Sequence, residues 1–204
     1  MSMSSPNFET QVRAWAETHL DAERRAHVRG VVATVNDLAA RYAPEHAGRL
    51  RLAGWIHDVA KGWDDVALLD YAEQHDLSIT PGDRTVPMLL HGAVAYWLAA
   101  ERFGLDDPLI ESACWLHTTG APEMSVTDKI LFVADLIEPT RDYKPVAKLR
   151  RAARRDLDEA TLYGVATVIK RLIRKQRIID PRAIALHNHL VAAGVRYGKR
   201  RKLP

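Results

Sequence analysis

The sequence predicts an all-α protein with one main domain, and three observations lead to this fold class. In most segments the apolar residues recur at spacings of three and four, as on the buried face of a helix. No stretch shows the sustained alternation of apolar and polar residues that is typical of a half-buried strand. The chain has 204 residues, 47% of them hydrophobic, without a repeat or linker, which is enough for one substantial core.

The first two predicted core helices carry candidate functional residues. An apolar stripe predicts a helix over 21–42, with His27 near its start. The next helix is expected to begin at a proline and to extend over 44–62. It would hold the adjacent pair His57 and Asp58 in its middle. Neighbouring residues of a helix diverge by about 100°, so the two side chains would reach two sides of one cavity.

Helices and turn-forming residues alternate in the middle of the chain. A short helix is predicted at about 64–76. The sequence SITPGDRTVP at 78–87 predicts a loop of about ten residues that could cover a cleft. Pro87 then begins a helix that carries His91.

Two later helices carry further polar residues in apolar surroundings. One is expected to begin at Pro108 and to end at His117, before the turn sequence TTGAP. Ser125 and Asp128 resemble a capping box ahead of a strongly apolar run. Asp135 lies inside this run, where an unpaired carboxylate would be costly to bury. We therefore expect Asp135 to have a partner.

The end regions complete the predicted domain organisation. Residues 145–178 are in helical register, and a final helix is expected to begin after Pro181. We assign 21–195 to the main domain. An N-terminal extension, helical in part, is expected at 1–20, and a basic tail at 196–204.

Composition limits the class of protein. The single cysteine, Cys114, excludes an internal disulfide and a cysteine-based zinc cluster. No apolar window is long enough to span a membrane and no secretory signal is recognisable, so a cytoplasmic protein is expected. The formal net charge of +3 is mildly basic. Because no groove-reading motif accompanies the basic residues, nucleic acid is not expected as a partner.

Four histidines and two aspartates are candidate metal ligands: His27, His57, Asp58, His91, His117 and Asp135. A single histidine on an apolar helix face is more often structural than a ligand. An adjacent His-Asp pair, between an earlier helical histidine and a later aspartate in an apolar helix, points to a shared site. Imidazoles and carboxylates together suit Fe, Mn, Co or Zn, whereas Ca and Mg prefer oxygen ligands. The set suffices for two adjacent transition-metal ions and indicates phosphate-ester or phosphoanhydride hydrolysis.

The spacing H…HD…D resembles the signature of the HD phosphohydrolase superfamily, which implies an HD-domain helical bundle. Over about 20–185, the blocks AGWIHDVAK, LLHGAVAYWLA and WLHTTGAPEMSVTDKILFVADLIEPTRDY resemble those of the YqeK-type HD proteins. That family is associated with symmetrical hydrolysis of diadenosine tetraphosphate to two ADP at a di-iron centre. The resemblance therefore implies a symmetrical bis(5'-nucleosyl)-tetraphosphatase with two metal ions, iron being expected first and Mn, Co or Zn being alternatives.

The resemblance also implies roles for individual residues. The first metal is expected to lie among His27, His57, Asp58 and Asp135, and the second among His91, His117 and the other oxygen of Asp58. A hydroxide activated by both metals would attack a central phosphorus atom. Asp58, as the bridge, and Lys61, as a phosphate anchor, are the expected catalytic residues.

The expected substrate-binding residues are Lys61, Arg141, Thr118, Thr119, Gly120 and Arg24. Lys61 matches the lysine of the family's HD-x-AK block and lies about one helical turn from His57. Arg141 matches the arginine after the family's IEP. The alternative to substrate binding is a surface position at a helix end for Lys61, and a surface salt bridge for Arg24.

Other classes of function stay open from sequence. Another HD phosphohydrolase, acting on nucleoside monophosphates or deoxynucleoside triphosphates, would use the same metals. A non-catalytic nucleotide sensor would retain the site without turnover. The expected partner is a dinucleoside polyphosphate substrate, without a membrane, and a homodimer through aromatics such as Trp63 or Trp97 is one arrangement that the sequence leaves open.

Overall fold

The structure of the protein, a computed structural model, describes residues 6–198, and these contain helices but no strand. The predicted all-α fold is thereby confirmed. The helices are α1 (Pro6–Thr18), α2 (Ala22–Tyr42), α3 (Ala47–Ile56), α4 (Asp65–Gln74), α5 (Pro81–Thr85), α6 (His91–Phe103), α7 (Pro108–Leu116), α8 (Val126–Ile137), α9 (Val146–Ala153), α10 (Leu157–Arg174) and α11 (Pro181–Ala192). Short 3₁₀ helices at Pro44–His46 and Pro87–Leu90 precede α3 and α6. Residues 1–5 of the predicted extension and 199–204 of the predicted basic tail lie outside the described residues.

The centre of the fold is a bundle of helices that packs around α2 and α3. α2 packs against α3 and α8, and α3 also packs against α1 and α7. The apolar stripe predicted for α2 is buried, with Val28, Val31 and Val35 at 0% exposure. α1 adds Phe8 and Val12 to the same core, and α10 packs against α8, α9 and α11. None of the helices within 6–198 is long and apolar enough to cross a membrane.

Capping side chains explain why several helix starts were predictable. Asp21 accepts a hydrogen bond from the backbone N–H of Arg24 at the start of α2. The capping box predicted from Ser125 and Asp128 is present at the start of α8, and Asp180 caps α11. Such a cap contributes about 1 kcal/mol, so these local signals determine helix boundaries without help from distant residues.

The pair His57 and Asp58 does not lie in the middle of a helix, contrary to the prediction. α3 ends at Ile56, and the chain continues in turns with hydrogen bonds such as Val59 N–H to the Ile56 carbonyl. The cause is the His57 ring, whose Nδ1 donates to the Gly54 carbonyl at 2.8 Å. In a continued α-helix that carbonyl would accept from the N–H of Asp58. The pair is therefore presented from the end of a helix.

Two further segments differ from their expected structure. The stretch 78–87 is not a continuous loop, because Thr80 and Asp83 form a capping box that starts the short helix α5. Residues 145–178 form two helices rather than one run, because Asp156 caps the start of α10 after α9 has ended. In both segments a polar side chain hydrogen-bonds the backbone locally and thereby determines where a helix begins.

A buried ion pair connects α11 to α5. The guanidinium of Arg182 donates to Asp83, which is 1% exposed, and its Nε lies 2.9 Å from Asp180 Oδ1. From α5 the chain passes through the 3₁₀ helix Pro87–Leu90 to His91. The ion pair therefore holds the segment that precedes one of the candidate ligands.

Arg182→Ala is expected to lower the free energy of unfolding by about 3 kcal/mol, because two buried carboxylates lose their cation. Chemical denaturation followed by circular dichroism measures this change. Arg155→Ala is the control, since Arg155 pairs with Glu159 at the surface with 67% of its side chain exposed. An exposed pair should contribute less than about 1 kcal/mol. If both variants lost the same free energy of unfolding, the larger contribution assigned to the buried pair would be contradicted.

Candidate active site

The six side chains predicted as metal ligands converge inside the bundle. α2 supplies His27, the end of α3 supplies His57 and Asp58, α6 begins with His91, α7 is followed by His117, and α8 supplies Asp135. The four histidines and Asp58 are at most 5% exposed, and the Asp135 side chain is 18% exposed. Two overlapping groups have the spacing of metal ligands, namely His27, His57 and Asp135, and His57, Asp58 and His117.

Asp58 divides its two carboxylate oxygens between two pairs of histidines. Oδ1 lies 3.1 Å from His91 Nε2 and 3.7 Å from His117 Nε2. Oδ2 lies 3.7 Å from His27 Nε2 and 3.8 Å from His57 Nε2. The carboxylate thus stands between the two pairs, as a bridging ligand must.

On the Oδ2 side, two imidazole nitrogens are buried without a hydrogen bond. His27 Nε2 lies 3.0 Å from Asp135 Oδ1, but neither it nor His57 Nε2 has hydrogen-bond geometry to any partner in the described part of the chain. Buried polar atoms are nearly always paired, so these two nitrogens require an explanation. A cation bound by them would provide one.

On the Oδ1 side, two imidazole nitrogens face each other. His91 Nε2 and His117 Nε2 are 3.0 Å apart. Nδ1 of His91 donates to the Met88 carbonyl, and Nδ1 of His117 donates to the Cys114 carbonyl. In both rings Nδ1 therefore carries the proton, and Nε2 of a neutral ring is then an acceptor. Two acceptors this close repel each other unless positive charge lies beside them. Lys61 Nζ, 3.2 Å from His91 Nε2, supplies some of it.

The electrostatics of the cluster favour neutral His57 and His91 and charged carboxylates, whereas Asp135 and Glu138 raise the pKa of His27 against the effect of its burial. Burial lowers the pKa values of His57 and His91 to about 4. Burial acts to raise the pKa values of Asp58 and Asp135, but the neighbouring histidines, and Arg141 beside Asp135, hold both below the usual range. At neutral pH these imidazoles are therefore unprotonated and these carboxylates ionised, which is the state that binds metal.

Glu138 is a residue of the site that the sequence analysis missed. It is 0% exposed, and its Oε1 lies 3.0 Å from His27 Nδ1. Thr140 donates to the same carboxylate through its backbone N–H and its hydroxyl. A carboxylate on the outer nitrogen of a ligand histidine fixes the tautomer and the orientation of the ring. The available signal was a glutamate at the end of the apolar run, three residues after Asp135.

Glu138→Gln is expected to weaken metal binding about 10- to 100-fold. The amide has one acceptor oxygen where His27 and Thr140 together use both carboxylate oxygens, and the negative charge is lost. Calorimetric titration of the purified, chelator-treated protein with Mn²⁺ measures the affinity. Glu45→Gln, at a glutamate whose side chain is 65% exposed, serves as the control. Unchanged affinity in Glu138→Gln would contradict the role assigned to this carboxylate.

A cleft beside the cluster is lined by two arginines. Its volume is about 270 Å³, and its walls are formed by Glu23, Arg24, His27, Thr140, Arg141, Asp142 and Tyr143. Arg24 Nη1 lies 2.8 Å from Asp58 Oδ2, and Arg141 Nη2 lies 2.7 Å from Asp135 Oδ1. The arginine side chains are 35% and 33% exposed, so each contacts an aspartate of the cluster and also faces the cleft. Arg24 is therefore part of the site rather than of a remote surface ion pair.

The loop after α7 reaches the cluster through Thr118, whose hydroxyl lies 3.1 Å from His117 Nε2. Thr119 is buried and donates its hydroxyl to the Gly120 carbonyl. Gly120 has a φ of +64°, and a side chain added there would collide with Leu186. The contacts of Thr119 and Gly120 thus shape the loop and lend no support to their predicted role in substrate binding.

Comparisons with known proteins agree with this geometry. The family model described as HD domain matches residues 24–140, which include all six candidate ligands. A symmetrical bis(5'-nucleosyl)-tetraphosphatase of Halalkalibacterium halodurans is 34% identical over 177 residues, covering 85% of this chain and 91% of that protein. One of Bacillus subtilis is 28% identical over 179 residues, covering 88% of this chain and 95% of that protein.

A solved structure shows the same architecture. The crystal structure of a Clostridium acetobutylicum protein, described as a predicted HD superfamily hydrolase involved in NAD metabolism, matches with a TM-score of 0.85. The two chains share 32% sequence identity, and the match covers 90% of this chain and 97% of that one. The predicted HD-domain bundle is thereby confirmed, and the His and Asp cluster on it is that of a divalent-metal site. The chain belongs to the HD-domain family and, within it, to the group that contains the symmetrical bis(5'-nucleosyl)-tetraphosphatases.

Proposed function

We propose that this protein is a metal-dependent hydrolase that cleaves diadenosine tetraphosphate and related dinucleoside tetraphosphates symmetrically into two nucleoside diphosphates. The observation that carries the proposal is the position of Asp58, whose two oxygens face separate pairs of histidines at distances of 3.1 to 3.8 Å. Relatives of nearly equal length that bear the name of this activity support the substrate assignment.

The donor set fits two divalent metal ions. His27, His57, Asp135 and Oδ2 of Asp58 would hold one ion, and His91, His117 and Oδ1 of Asp58 the other. The unpaired nitrogens of His27 and His57 and the facing nitrogens of His91 and His117 are the observations that a pair of cations would explain. When bound, two such ions supply an activated water and neutralise phosphate charge. Four imidazoles with two carboxylates suit iron, which we propose, and also Mn, Co or Zn.

Three cations of the chain are placed to bind the phosphates. Arg24 and Arg141 contact carboxylates of the cluster and also face the cleft. Lys61 is partly buried, and its ammonium lies 3.2 Å from His91 Nε2. Cleavage between the central phosphates creates negative charge on a departing nucleoside diphosphate. Fixed positive groups beside that charge stabilise the transition state. We assign this role to Lys61 first, because its ammonium lies against a histidine, whereas each arginine is already paired with a carboxylate.

Lys61→Met is expected to lower kcat/KM and to weaken nucleotide binding, each about 10- to 100-fold, the range for losing a hydrogen bond to a charged group. The metal content should stay near that of the wild type, because Lys61 is not assigned as a ligand. Steady-state kinetics and metal analysis on the same sample separate the two effects. Lys129→Met is the control, since Lys129 is also mostly buried but pairs with Asp158 at 2.7 Å. Parallel loss of metal and activity in Lys61→Met would indicate a structural role instead.

Product analysis tests the proposed function directly. Anaerobically prepared, iron-loaded protein is incubated with diadenosine tetraphosphate, and the products and metal content are measured on one sample. ADP as the sole product, with about two metals per chain, is the expected result. ATP with AMP would place the cleavage elsewhere in the phosphate chain. No turnover with two metals bound would contradict the proposal, and panels of nucleoside monophosphates and deoxynucleoside triphosphates would then distinguish another hydrolase from a sensor.

A cytoplasmic location and a homodimer stay predictions from sequence.

A further inference from the structure

The loop that follows α8 is held firmly against the cluster and forms one wall of the cleft. Arg150 Nη2 donates to the Glu138 carbonyl at 2.7 Å and to the Arg141 carbonyl at 3.1 Å. The Tyr143 hydroxyl donates to the Leu136 carbonyl at 2.7 Å. Glu138 itself is buried and hydrogen-bonds His27, so the loop is held by hydrogen bonds at several points along its length. Its side chains in the cleft are therefore positioned before a ligand arrives.

Tyr143 offers the cleft a ring rather than a hydroxyl. Burial raises the pKa of Tyr143 to about 12, so the hydroxyl stays protonated and donates to the Leu136 carbonyl. The side chain as a whole is only partly buried, and it lines the cleft. Because the polar end is already occupied, the remaining surface that a ligand can contact is the aromatic ring.

The residues of the cleft match the parts of a nucleotide. Arg24 and Arg141 contact the aspartates of the cluster and suit phosphate oxygens, which guanidinium groups bind in paired hydrogen bonds. The Tyr143 ring suits a nucleobase, since every base has a flat face that stacks on an aromatic side chain. Glu23 and Asp142 are exposed carboxylates on the same cleft and can accept hydrogen bonds from ribose hydroxyls or an exocyclic amine.

We propose that this cleft binds one nucleoside diphosphate half of the substrate, with Tyr143 stacking on the nucleobase and the two arginines holding the phosphates. The inference rests on the proposed function, because it assigns the cleft to one half of a dinucleoside tetraphosphate. It goes further by identifying a residue for nucleoside binding that acts away from the reacting phosphorus. Tyr143 is thus a specificity residue for nucleotides over inorganic phosphates.

The test is equilibrium binding of ADP and of inorganic pyrophosphate to the metal-loaded protein. Tyr143→Leu should weaken ADP binding about 5- to 100-fold, the range for loss of one base-stacking contact, and should change pyrophosphate binding by less than about twofold. Tyr143→Phe keeps the ring and should bind ADP nearly as the wild type does. Pyrophosphate carries the charges of the diphosphate without a base, so the comparison isolates the stacking contact.

Tyr42→Leu provides a matched control. Tyr42 is also partly buried, and its hydroxyl also donates to a backbone carbonyl, that of Ala153 at 2.9 Å. It does not belong to the cleft walls. Tyr42→Leu should therefore bind ADP and pyrophosphate as the wild type does, and a loss of ADP binding equal to that of Tyr143→Leu would overturn the proposal.

Three other outcomes would also overturn it. They are unchanged ADP binding in Tyr143→Leu, an equal loss of ADP and pyrophosphate in that variant, and a loss in Tyr143→Phe as large as in Tyr143→Leu. If Tyr143→Leu does not fold, Tyr143→Trp replaces it, since the indole also stacks on bases. ADP should then quench its fluorescence beyond the change seen in the wild type, with no such effect of pyrophosphate, and an absence of this extra quenching would reject the subsite.

The binding test also separates this inference from the proposed function. It requires no turnover, so selective loss of ADP binding in Tyr143→Leu would support the subsite even if diadenosine tetraphosphate were not cleaved. Conversely, symmetrical cleavage by a protein whose ADP binding does not depend on Tyr143 would retain the function and reject the subsite.

Discussion

Asp58→Ala is expected to abolish hydrolysis of diadenosine tetraphosphate. Loss of a residue that only supports a metal ligand lowers activity by up to about 100-fold, and loss of the bridging ligand itself should lower kcat/KM by more than that. Among residues 6–198, Asp58 is the one carboxylate that approaches both pairs of histidines, with Oδ1 3.1 Å from His91 Nε2 and Oδ2 3.7 Å from His27 Nε2. Alanine removes both oxygens at once, so each half of the site loses a ligand. The metal content should fall below two per chain together with the activity.

The conservative variant Asp58→Asn makes the test of the bridge more specific. Its amide keeps one oxygen, so one half of the site retains a ligand while the other does not. We expect more bound metal than in Asp58→Ala but activity well below wild type. Asp107→Ala controls for removal of a buried aspartate, because Asp107 is 3% exposed and caps the start of α7, whereas His117 follows the other end of that helix. Wild-type turnover in Asp58→Ala with both metals retained would show that Asp58 has been assigned wrongly.

Gly92→Ala should damage both the stability and the activity of the enzyme. A Cβ at this position would come closer than 3.0 Å to the Cys114 carbonyl and lie 2.9 Å from the His117 ring. Because the carbonyl is backbone, α6 and α7 must move apart, which costs about 1 to 3 kcal/mol. The same movement separates His91 from His117. A misplacement of about 1 Å at a reacting centre costs about 100-fold in rate, and we expect a loss of that order in kcat/KM.

Gly48→Ala is the matched control for this substitution. Gly48 lies in α3, and a Cβ added there meets no atom within 4 Å. Alanine should leave the activity unchanged and alter the free energy of unfolding by less than about 1 kcal/mol, on the stabilising side, because alanine is the better helix former. Thermal unfolding and steady-state kinetics of both variants give the comparison. Wild-type kinetics in Gly92→Ala would mean that the close approach of α6 and α7 is not needed to place the histidines.

Much of the fold could be predicted from local patterns in the sequence. Apolar spacing located the main helices, and capping residues such as Ser125 located several of their starts. The same reasoning failed at His57, where a side chain takes a carbonyl from the helix, and at 78–87, where a capping box starts a short helix inside turn-forming residues. In each failure a side-chain hydrogen bond decides the backbone conformation, and apolar periodicity carries no information about it.

The sequence by itself determined the candidate ligands and the chemistry that they suit, because an adjacent His-Asp pair and an aspartate in an apolar helix are visible without a fold. It did not reveal Glu138, which meets His27 across 111 positions of the chain. Nor did it show that the oxygens of Asp58 separate two pairs of histidines, or that Arg24 and Arg141 line one cleft. Only the tertiary structure decided these points, because they depend on how helices far apart in sequence cross, and this crossing is set by packing over the whole core.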